Sequence, residues 1–159
     1  MSSSERAERV GILSAVLGAA LLAPSARAED IPHNVRSELE VARDLCVKAG
    51  GTPGALEGAI VRHGVDGDGV VDWIVDSRRL PCPGRSRAES TMLFVFVRYQ
   101  DRWLRILLDT VLDWEVGFAR GLPSLKLKHP GEECMQPRKG PCWKTFVFDR
   151  GVMRHIRTQ

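Results

Sequence analysis

Residues 92–111 read MLFVFVRYQDRWLRILLDTV, in which two apolar runs, 92–99 and 103–111, flank a short polar segment. The connection is short enough for an antiparallel hairpin, whereas a parallel pair would need a much longer crossover. Residues 92–97 are apolar without alternation, which is typical of a central strand that is covered on both faces. We therefore expect this hairpin to lie in the middle of an antiparallel sheet.

Most of the remaining chain beyond Gly54 consists of similar β-rich runs, usually separated by turn residues. Residues 149–151, Asp-Arg-Gly, join the last two runs closely enough for a second antiparallel hairpin. The six further predicted strands cover residues 59–65, 70–76, 114–119, 125–129, 143–148 and 152–156.

Residues 32–49 have a helical pattern instead. Apolar side chains recur there at steps of three and four residues, Pro32 favours a helix start, and Gly50-Gly51 favours a stop. The expected buried stripe consists of Val35, Leu39, Ala42, Leu45, Cys46 and Ala49. Since no second long helical period follows, the predicted fold is α+β: one N-terminal helix packed on a mainly antiparallel β-sheet or open barrel.

Residues 1–28 have the organisation of a secretory signal peptide. Arg6 and Arg9 precede the apolar stretch 10–23, and Ala26 and Ala28 occupy the small-residue positions before a cleavage site. The apolar stretch is shorter than the roughly 20 residues that a bilayer-spanning helix needs. We expect cleavage after Ala28, a single α+β domain over 29–159 with no transmembrane segment, and a periplasmic or secreted location.

The composition limits the class of protein. The chain is 43% hydrophobic and 27% charged, values near the globular average, which argue against a disordered or multi-spanning membrane protein. Residues 29–159 contain 20 lysines and arginines against 18 aspartates and glutamates. This small excess of positive charge does not favour a general nucleic-acid binder, so we expect no nucleic-acid partner.

Four cysteines in a short chain behind a secretory leader favour two structural disulfides. Three pairings are open in principle. Cys134 and Cys142 flank a short polar segment, which favours a local bridge and leaves Cys46 to join Cys82. A zinc or redox site fits less well, because no Cys-x-x-Cys occurs and the histidines are scattered.

Residues 64–73 read GVDGDGVVDW and resemble a calcium-loop pattern, in which oxygen ligands alternate and a glycine occupies the sixth position. With Gly69 sixth, the candidate ligands are Asp66, Asp68, the Val70 carbonyl and Asp72. The first position is Gly64, which offers no ligand, and Val75 replaces the glutamate of an EF-hand. Asp-Gly pairs between two strands also predict a plain hairpin, so we expect at most weak calcium binding and no other cofactor.

The Asp-Gly-Asp-Gly-x-x-Asp segment is similar to the calcium loops of FG-GAP (integrin-type) repeats. Together with residues 46–51, Asp76 and the four cysteines, it resembles a group of small secreted bacterial proteins of unknown function. The resemblance implies a two-disulfide framework and names no activity.

The sequence contains no recognisable catalytic motif: Gly-x-Ser-x-Gly, phosphate-binding glycine loops, His-Glu-x-x-His and Ser-x-x-Lys are absent. The acidic group Asp109, Asp113 and Glu115 is interpreted as a solvated strand face. His129 and His155 have no carboxylate or nucleophile at an informative spacing. We therefore assign no catalytic residue.

Positive charge is concentrated toward the C-terminus. Residues 120–159 contain nine lysines and arginines against three acidic residues, whereas residues 29–119 contain eleven against fifteen. Such asymmetry favours contact with an anionic partner, although the charges can also lie on several solvated faces. The candidate patch consists of Lys126, Lys128, Lys144 and Arg154, with Arg154 expected beside Lys144.

Two functions from different classes remain. The first is a non-enzymatic periplasmic or secreted binding or accessory protein, with or without bound calcium, whose partner is an envelope protein or an anionic envelope component. The alternative is a small secreted hydrolase whose site is assembled from residues distant in sequence. A pocket with clustered carboxylates or a histidine would favour the hydrolase. A flat basic patch would favour the binding protein.

Overall fold

The computed structural model describes residues 30–85, 90–134, 140–149 and 152–156. The predicted signal peptide lies outside these residues, and its cleavage stays a prediction. The helix α1 spans His33–Lys48, and short 3₁₀ turns lie at Leu56–Ala59 and Gly131–Glu133. The strands are β1 Ile60–His63, β2 Asp72–Asp76, β3 Thr91–Tyr99, β4 Arg102–Val111, β5 Asp113–Ala119, β6 Leu122–His129, β7 Cys142–Asp149 and β8 Val152–Ile156.

All eight predicted strands are present, and every described pairing is antiparallel. They form two four-stranded sheets, β1-β2-β3-β4 and β5-β6-β7-β8, where the sequence led us to expect one sheet or an open barrel. The chain changes sheet at Leu112, whose N–H donates a 2.7 Å hydrogen bond to the Lys128 carbonyl oxygen. This bond starts the pairing of β5 with β6, so β5 leaves the plane of the first sheet. The α+β class is confirmed.

The first sheet lies between α1 and the second sheet. On β3, Phe94 and Phe96 pack with α1, whereas Leu93 and Val95 pack with Leu125 of the second sheet. The prediction that residues 92–97 are covered on both faces is therefore confirmed. Each apolar side chain buried in this way contributes roughly 1.5–3 kcal/mol to stability.

The helix buries four residues of the predicted stripe: Val35, Leu39, Ala42 and Cys46. Pro32 is the N-cap residue, and Gly50 adopts a φ of +79°, a conformation that glycine tolerates and that ends the helix. Asn34 Nδ2 donates a hydrogen bond to the Trp103 carbonyl oxygen, which fixes the start of α1 over the first sheet.

Both disulfides have the expected pairing. Cys46 of α1 is bonded to Cys82 in the loop after β2, and Cys134 is bonded to Cys142 at the start of β7. A Cβ atom on Gly51 would lie 2.3 Å from the Cys82 sulfur, so the first bridge depends on a residue without a side chain at position 51. The described part of the chain has no helix long and apolar enough to span a membrane.

Candidate functional site

The candidate calcium loop connects β1 and β2. Asp72, at its end, is fully buried, and its Oδ2 accepts a 2.7 Å hydrogen bond from the Val65 N–H. Within the ranges that the structure describes, its Oδ1 is buried without a hydrogen-bond partner. Burial raises the pKa of Asp72 to about 6, and the negative charges of Asp66 and Asp68 act in the same direction.

The other two aspartates hydrogen-bond to the loop's own backbone. Asp66 Oδ1 accepts from the Asp68 N–H at 3.1 Å, and Asp68 Oδ1 accepts from the Val70 N–H at 2.7 Å. Burial, with a smaller contribution from neighbouring Asp68, also raises the pKa of Asp66. These contacts are typical of Asx turns and close the loop as a hairpin connection.

The three loop carboxylates are not gathered around one point. Among the described residues, one group of acidic, histidine or cysteine side chains has ligand atoms that all lie within 4.8 Å of one another. That group contains none of the loop aspartates. A Cβ atom on Gly64 would lie 3.3 Å from the Val70 carbonyl oxygen, the predicted backbone ligand. The expected first ligand position therefore lies beside the expected carbonyl, although no carboxylate is present there.

The candidate basic patch is divided between two faces of the second sheet. Lys144 lies opposite Leu127 and shares the inner, core-facing side, whereas Arg154 lies opposite Val147 on the outer side. The expectation that Arg154 stands beside Lys144 is therefore wrong. The two-residue connection between Asp149 and Val152 sets this register.

On the outer face, two of the remaining basic residues lie beside acidic ones, and the third lies beside an aromatic ring. Lys126 Nζ is 3.7 Å from Glu115, Arg154 is 3.8 Å from Asp149, and Lys128 Nζ lies 5.9 Å from the centre of the Trp143 ring. The described outer face carries three basic and three acidic side chains, namely Lys126, Lys128, Arg154, Asp113, Glu115 and Asp149. Its charge is balanced.

The group of clustered ligand atoms consists of Asp109, His129 and Glu133. His129 ends β6 on the inner face and is only 1% exposed. Its Nδ1 lies 2.8 Å from Glu133 Oε2, and its Nε2 lies 3.6 Å from Asp109 Oδ2. Asp109, interpreted from the sequence as solvated, instead lies opposite Leu93 on the inner side of β4.

A cavity of about 510 Å³ lies beside the start of α1, on the helix-covered face of the first sheet. Its lining residues are Asp30, Ile31, Arg36, Glu57, Ile60, Arg62 and Trp73. The Trp73 indole is nearly buried, with Trp103 edge-on at a centroid distance of 6.1 Å and the Arg62 guanidinium 4.4 Å from its ring centre. Among the described residues, Trp73 Nε1 has no hydrogen-bond partner.

Charged groups of both signs line this cavity. Arg36 and Arg62 are cationic, whereas Asp30 and Glu57 are anionic. In the part of the chain that the structure describes, the Arg36 guanidinium and the Glu57 carboxylate make no hydrogen bond or ion pair. The cavity can therefore offer these two charges to a ligand.

Sequence reasoning identified neither the cavity nor the histidine cluster. The cavity combines residues before α1, in α1, in the 3₁₀ turn and in two strands, which have no common spacing. The cluster has one local signal, the four-residue step from His129 to Glu133, and its third member, Asp109, comes from the other sheet.

Comparisons of this chain with protein-family models, curated proteins and solved structures give no match. The resemblance to small secreted bacterial proteins stays a prediction.

Proposed function

We propose that this protein is a non-enzymatic periplasmic or secreted binding protein whose cavity beside α1 takes a small zwitterion, such as an amino acid or a short peptide. The two disulfides support the location, because such bridges persist in oxidising compartments. The observation that carries the proposal is a cavity of about 510 Å³ with charges of both signs around an indole.

The size of the cavity suits a small molecule. Ligand pockets in proteins typically enclose about 300–1,000 Å³ and combine apolar walls with a few polar groups that orient the ligand. Trp73, Ile31 and Ile60 supply the apolar surface here. An amino acid or dipeptide fits this volume, whereas a stable interface with a folded protein would bury a much larger area.

The charges define the chemistry of the ligand. A ligand carboxylate would pair with Arg36, since guanidinium groups bind carboxylates through two parallel hydrogen bonds. A ligand ammonium group would pair with Glu57 or Asp30. The ionisable side chains of the described lining are two arginines and two carboxylates, which can bind and orient the charged ends of a ligand.

Isothermal titration with L-phenylalanine and the dipeptide Ala-Phe tests this proposal. N-acetyl-phenylalanine amide is the matched control ligand, because it keeps the aromatic side chain and lacks both charges. We expect the zwitterions to bind and the neutral analogue to bind at least tenfold more weakly. Equal binding of the three probes, or no binding of any, would contradict the proposal.

A pair of helix variants locates the site. Arg36→Gln removes a cavity charge, whereas Arg43→Gln removes an exposed charge on the same helix that already pairs with Glu40. We expect Arg36→Gln to weaken zwitterion binding about tenfold, consistent with the loss of a hydrogen bond to a charged group. Arg43→Gln should bind like the unchanged protein, and equal effects of both variants would place the ligand elsewhere.

One observation favours the alternative, a small hydrolase: the carboxylates of Asp109 and Glu133 flank His129. The ring is 1% exposed, so a substrate cannot reach it without displacement of the surrounding residues. Hydrolysis of p-nitrophenyl acetate that is lost in His129→Gln and retained in His155→Gln would support the hydrolase over the binding protein.

A further inference from the structure

We propose that Asp109, His129 and Glu133 form a binding site for a divalent transition-metal ion, for which Zn²⁺ is the best-fitting ion. These residues come from β4, β6 and the 3₁₀ turn after β6, and their ligand atoms all lie within 4.8 Å of one another. The site is separate from the cavity proposed to bind a zwitterion, since the two share no residue.

The imidazole ring of His129 is held in one tautomer. Glu133 Oε2 lies 2.8 Å from His129 Nδ1, and a carboxylate accepts hydrogen bonds. The ring proton is therefore assigned to Nδ1, which leaves the Nε2 lone pair available in the neutral ring. Metal-binding histidines commonly have such a carboxylate on the second nitrogen, where it fixes the tautomer and the orientation of the ring. Glu133 thus acts as a positioning residue.

The separation between His129 Nε2 and Asp109 Oδ2 suits a bridging metal ion. This distance is 3.6 Å, which exceeds a hydrogen bond. Two ligands at Zn–N and Zn–O distances of about 2.0–2.2 Å in a tetrahedron are separated by about 3.4 Å. A zinc ion can therefore bridge the two atoms with a movement of a few tenths of an ångström, and water would complete its coordination.

The burial of His129 also favours a metal ion, independently of the carboxylates. His129 is 1% exposed, and its Nε2 is buried without a hydrogen-bond partner in the described part of the chain. An unsatisfied buried nitrogen costs about 1–3 kcal/mol, so nearly all buried polar groups have partners. A metal ion bound between Nε2 and Asp109 satisfies this nitrogen and also neutralises the carboxylates beside it.

A metal ion bound at this site would connect the two sheets and stabilise the folded state. Asp109 belongs to the first sheet, whereas His129 belongs to the second, so an ion between them would join the two sheets. The Cys134–Cys142 bridge follows directly and ties the segment after Glu133 to β7. Since the ion would bind the folded state only, it should stabilise the protein.

The ligand types favour a transition metal over calcium. Imidazole nitrogen suits zinc, copper and nickel, whereas calcium prefers six to eight oxygen ligands. Calcium is therefore a control ion for this site.

The test is titration of the purified, untagged protein with ZnCl₂ after treatment with EDTA, followed by calorimetry, thermal unfolding and ¹⁵N spectra of the imidazole rings. We expect one zinc ion to bind, the melting temperature to rise by several degrees, and the Nε2 resonance of His129 to shift. Calcium chloride at the same concentration should produce neither effect. No binding, no shift of the His129 resonance, or equal stabilisation by calcium would overturn the proposal.

Matched variants separate this site from weak surface binding. Asp109→Asn and Glu133→Gln remove the ligand and the positioning carboxylate, whereas Asp101→Asn and Glu132→Gln change exposed neighbours of the same type. We expect Glu133→Gln to weaken zinc binding 10- to 100-fold, which is the usual effect of losing an outer-sphere partner. Asp109→Asn should weaken it at least as much. The second pair should bind like the unchanged protein. If Asp109→Asn does not fold, the comparison of Glu133→Gln with Glu132→Gln decides, and equal affinities in those two would overturn the proposal.

Discussion

The indole Nε1 of Trp114 donates a 2.9 Å hydrogen bond to Oδ2 of Asp76, and this bond joins the second sheet to the first. Asp76 is 1% exposed, and its Oδ1 accepts from the Thr91 hydroxyl and from the Arg78 N–H. The carboxylate therefore connects β2, β3 and β5 at one end of the β sandwich. A buried carboxylate is tolerated there because both of its oxygens are satisfied.

Trp114→Phe should destabilise the protein by about 2 kcal/mol, because it keeps an aromatic side chain and removes the hydrogen-bond donor to Asp76 Oδ2, which among the described residues then has only the Arg78 guanidinium, 3.8 Å away. Urea unfolding followed by circular dichroism measures the change. Trp143→Phe is the control, since Trp143 is 39% exposed on the outer face, and a change of about 0.5 kcal/mol or less is expected. Equal effects of the two substitutions would show that the bond between Trp114 and Asp76 contributes little.

Asp72→Asn should make the protein more stable at pH 7.5. Burial raises the pKa of Asp72 from 3.8 to about 6, so the folded state binds a proton more tightly than the unfolded state. The stability due to this proton is fully present below about pH 4 and is lost as the pH rises through about 6. The shift corresponds to at most about 3 kcal/mol.

Unfolding free energies of both proteins between pH 4 and pH 8 check this sign. The advantage of Asp72→Asn should grow with pH across this range and be close to zero near pH 4. Asp101→Asn, at an exposed turn, should show no such trend. An Asp72→Asn protein that is less stable at every pH would mean that the carboxylate is needed in its charged form.

Gly64→Asp should strengthen calcium binding. The unchanged loop offers Asp66, Asp68, Asp72 and the Val70 carbonyl, and we expect no calorimetric signal in the submicromolar range. A side chain at position 64 starts 3.3 Å from the Val70 carbonyl oxygen, where a first ligand belongs. Adding Asp66→Asn to this variant should remove the gain. Unchanged binding in Gly64→Asp would show that the loop is only a hairpin connection.

Loss of the two disulfides should have unequal effects. The Cys46–Cys82 bridge has a sequence separation of 36 residues, and the Cys134–Cys142 bridge a separation of 8. Chain entropy predicts a loss of about 4 kcal/mol for the double alanine variant at 46 and 82, and about 2.5 kcal/mol at 134 and 142. Denaturant unfolding measures both values. A larger loss for the second pair would mean that strain or local packing outweighs the entropy of the unfolded chain.

Vesicle binding should depend little on the outer face of the second sheet. Its basic residues lie beside acidic ones, so at physiological salt we expect similar co-sedimentation with anionic and neutral vesicles. The double variant Lys126→Glu, Lys128→Glu should behave like Lys144→Glu, which changes the inner face. A salt-sensitive preference for anionic vesicles that only the double variant loses would instead support an anionic envelope partner.

Local patterns predicted much of the fold. The unbroken apolar run at 92–97, the three- and four-residue steps of 32–49, and the hairpin connections are signals between near neighbours, and the corresponding elements are present. The division into two sheets has no such signal, because it depends on the hydrogen bond that Leu112 makes to Lys128, a residue 16 positions later in the chain, at the start of the β5–β6 pairing. The separation of Arg154 from Lys144 likewise depends on the registers of β7 with β6 and with β8, which no local pattern records.

By itself, the sequence determined the helix, the eight strands and the α+β class, and it favoured the observed cysteine pairing, because periodicity, turn chemistry and short loop closure act over a few residues. Only the tertiary structure brought Asp109 to His129 and placed Arg36 and Glu57 around Trp73. These side chains belong to separate elements whose burial drives packing, and hydrophobic burial has no preferred direction that a sequence pattern can record. The functional groups therefore meet as a result of how the layers pack.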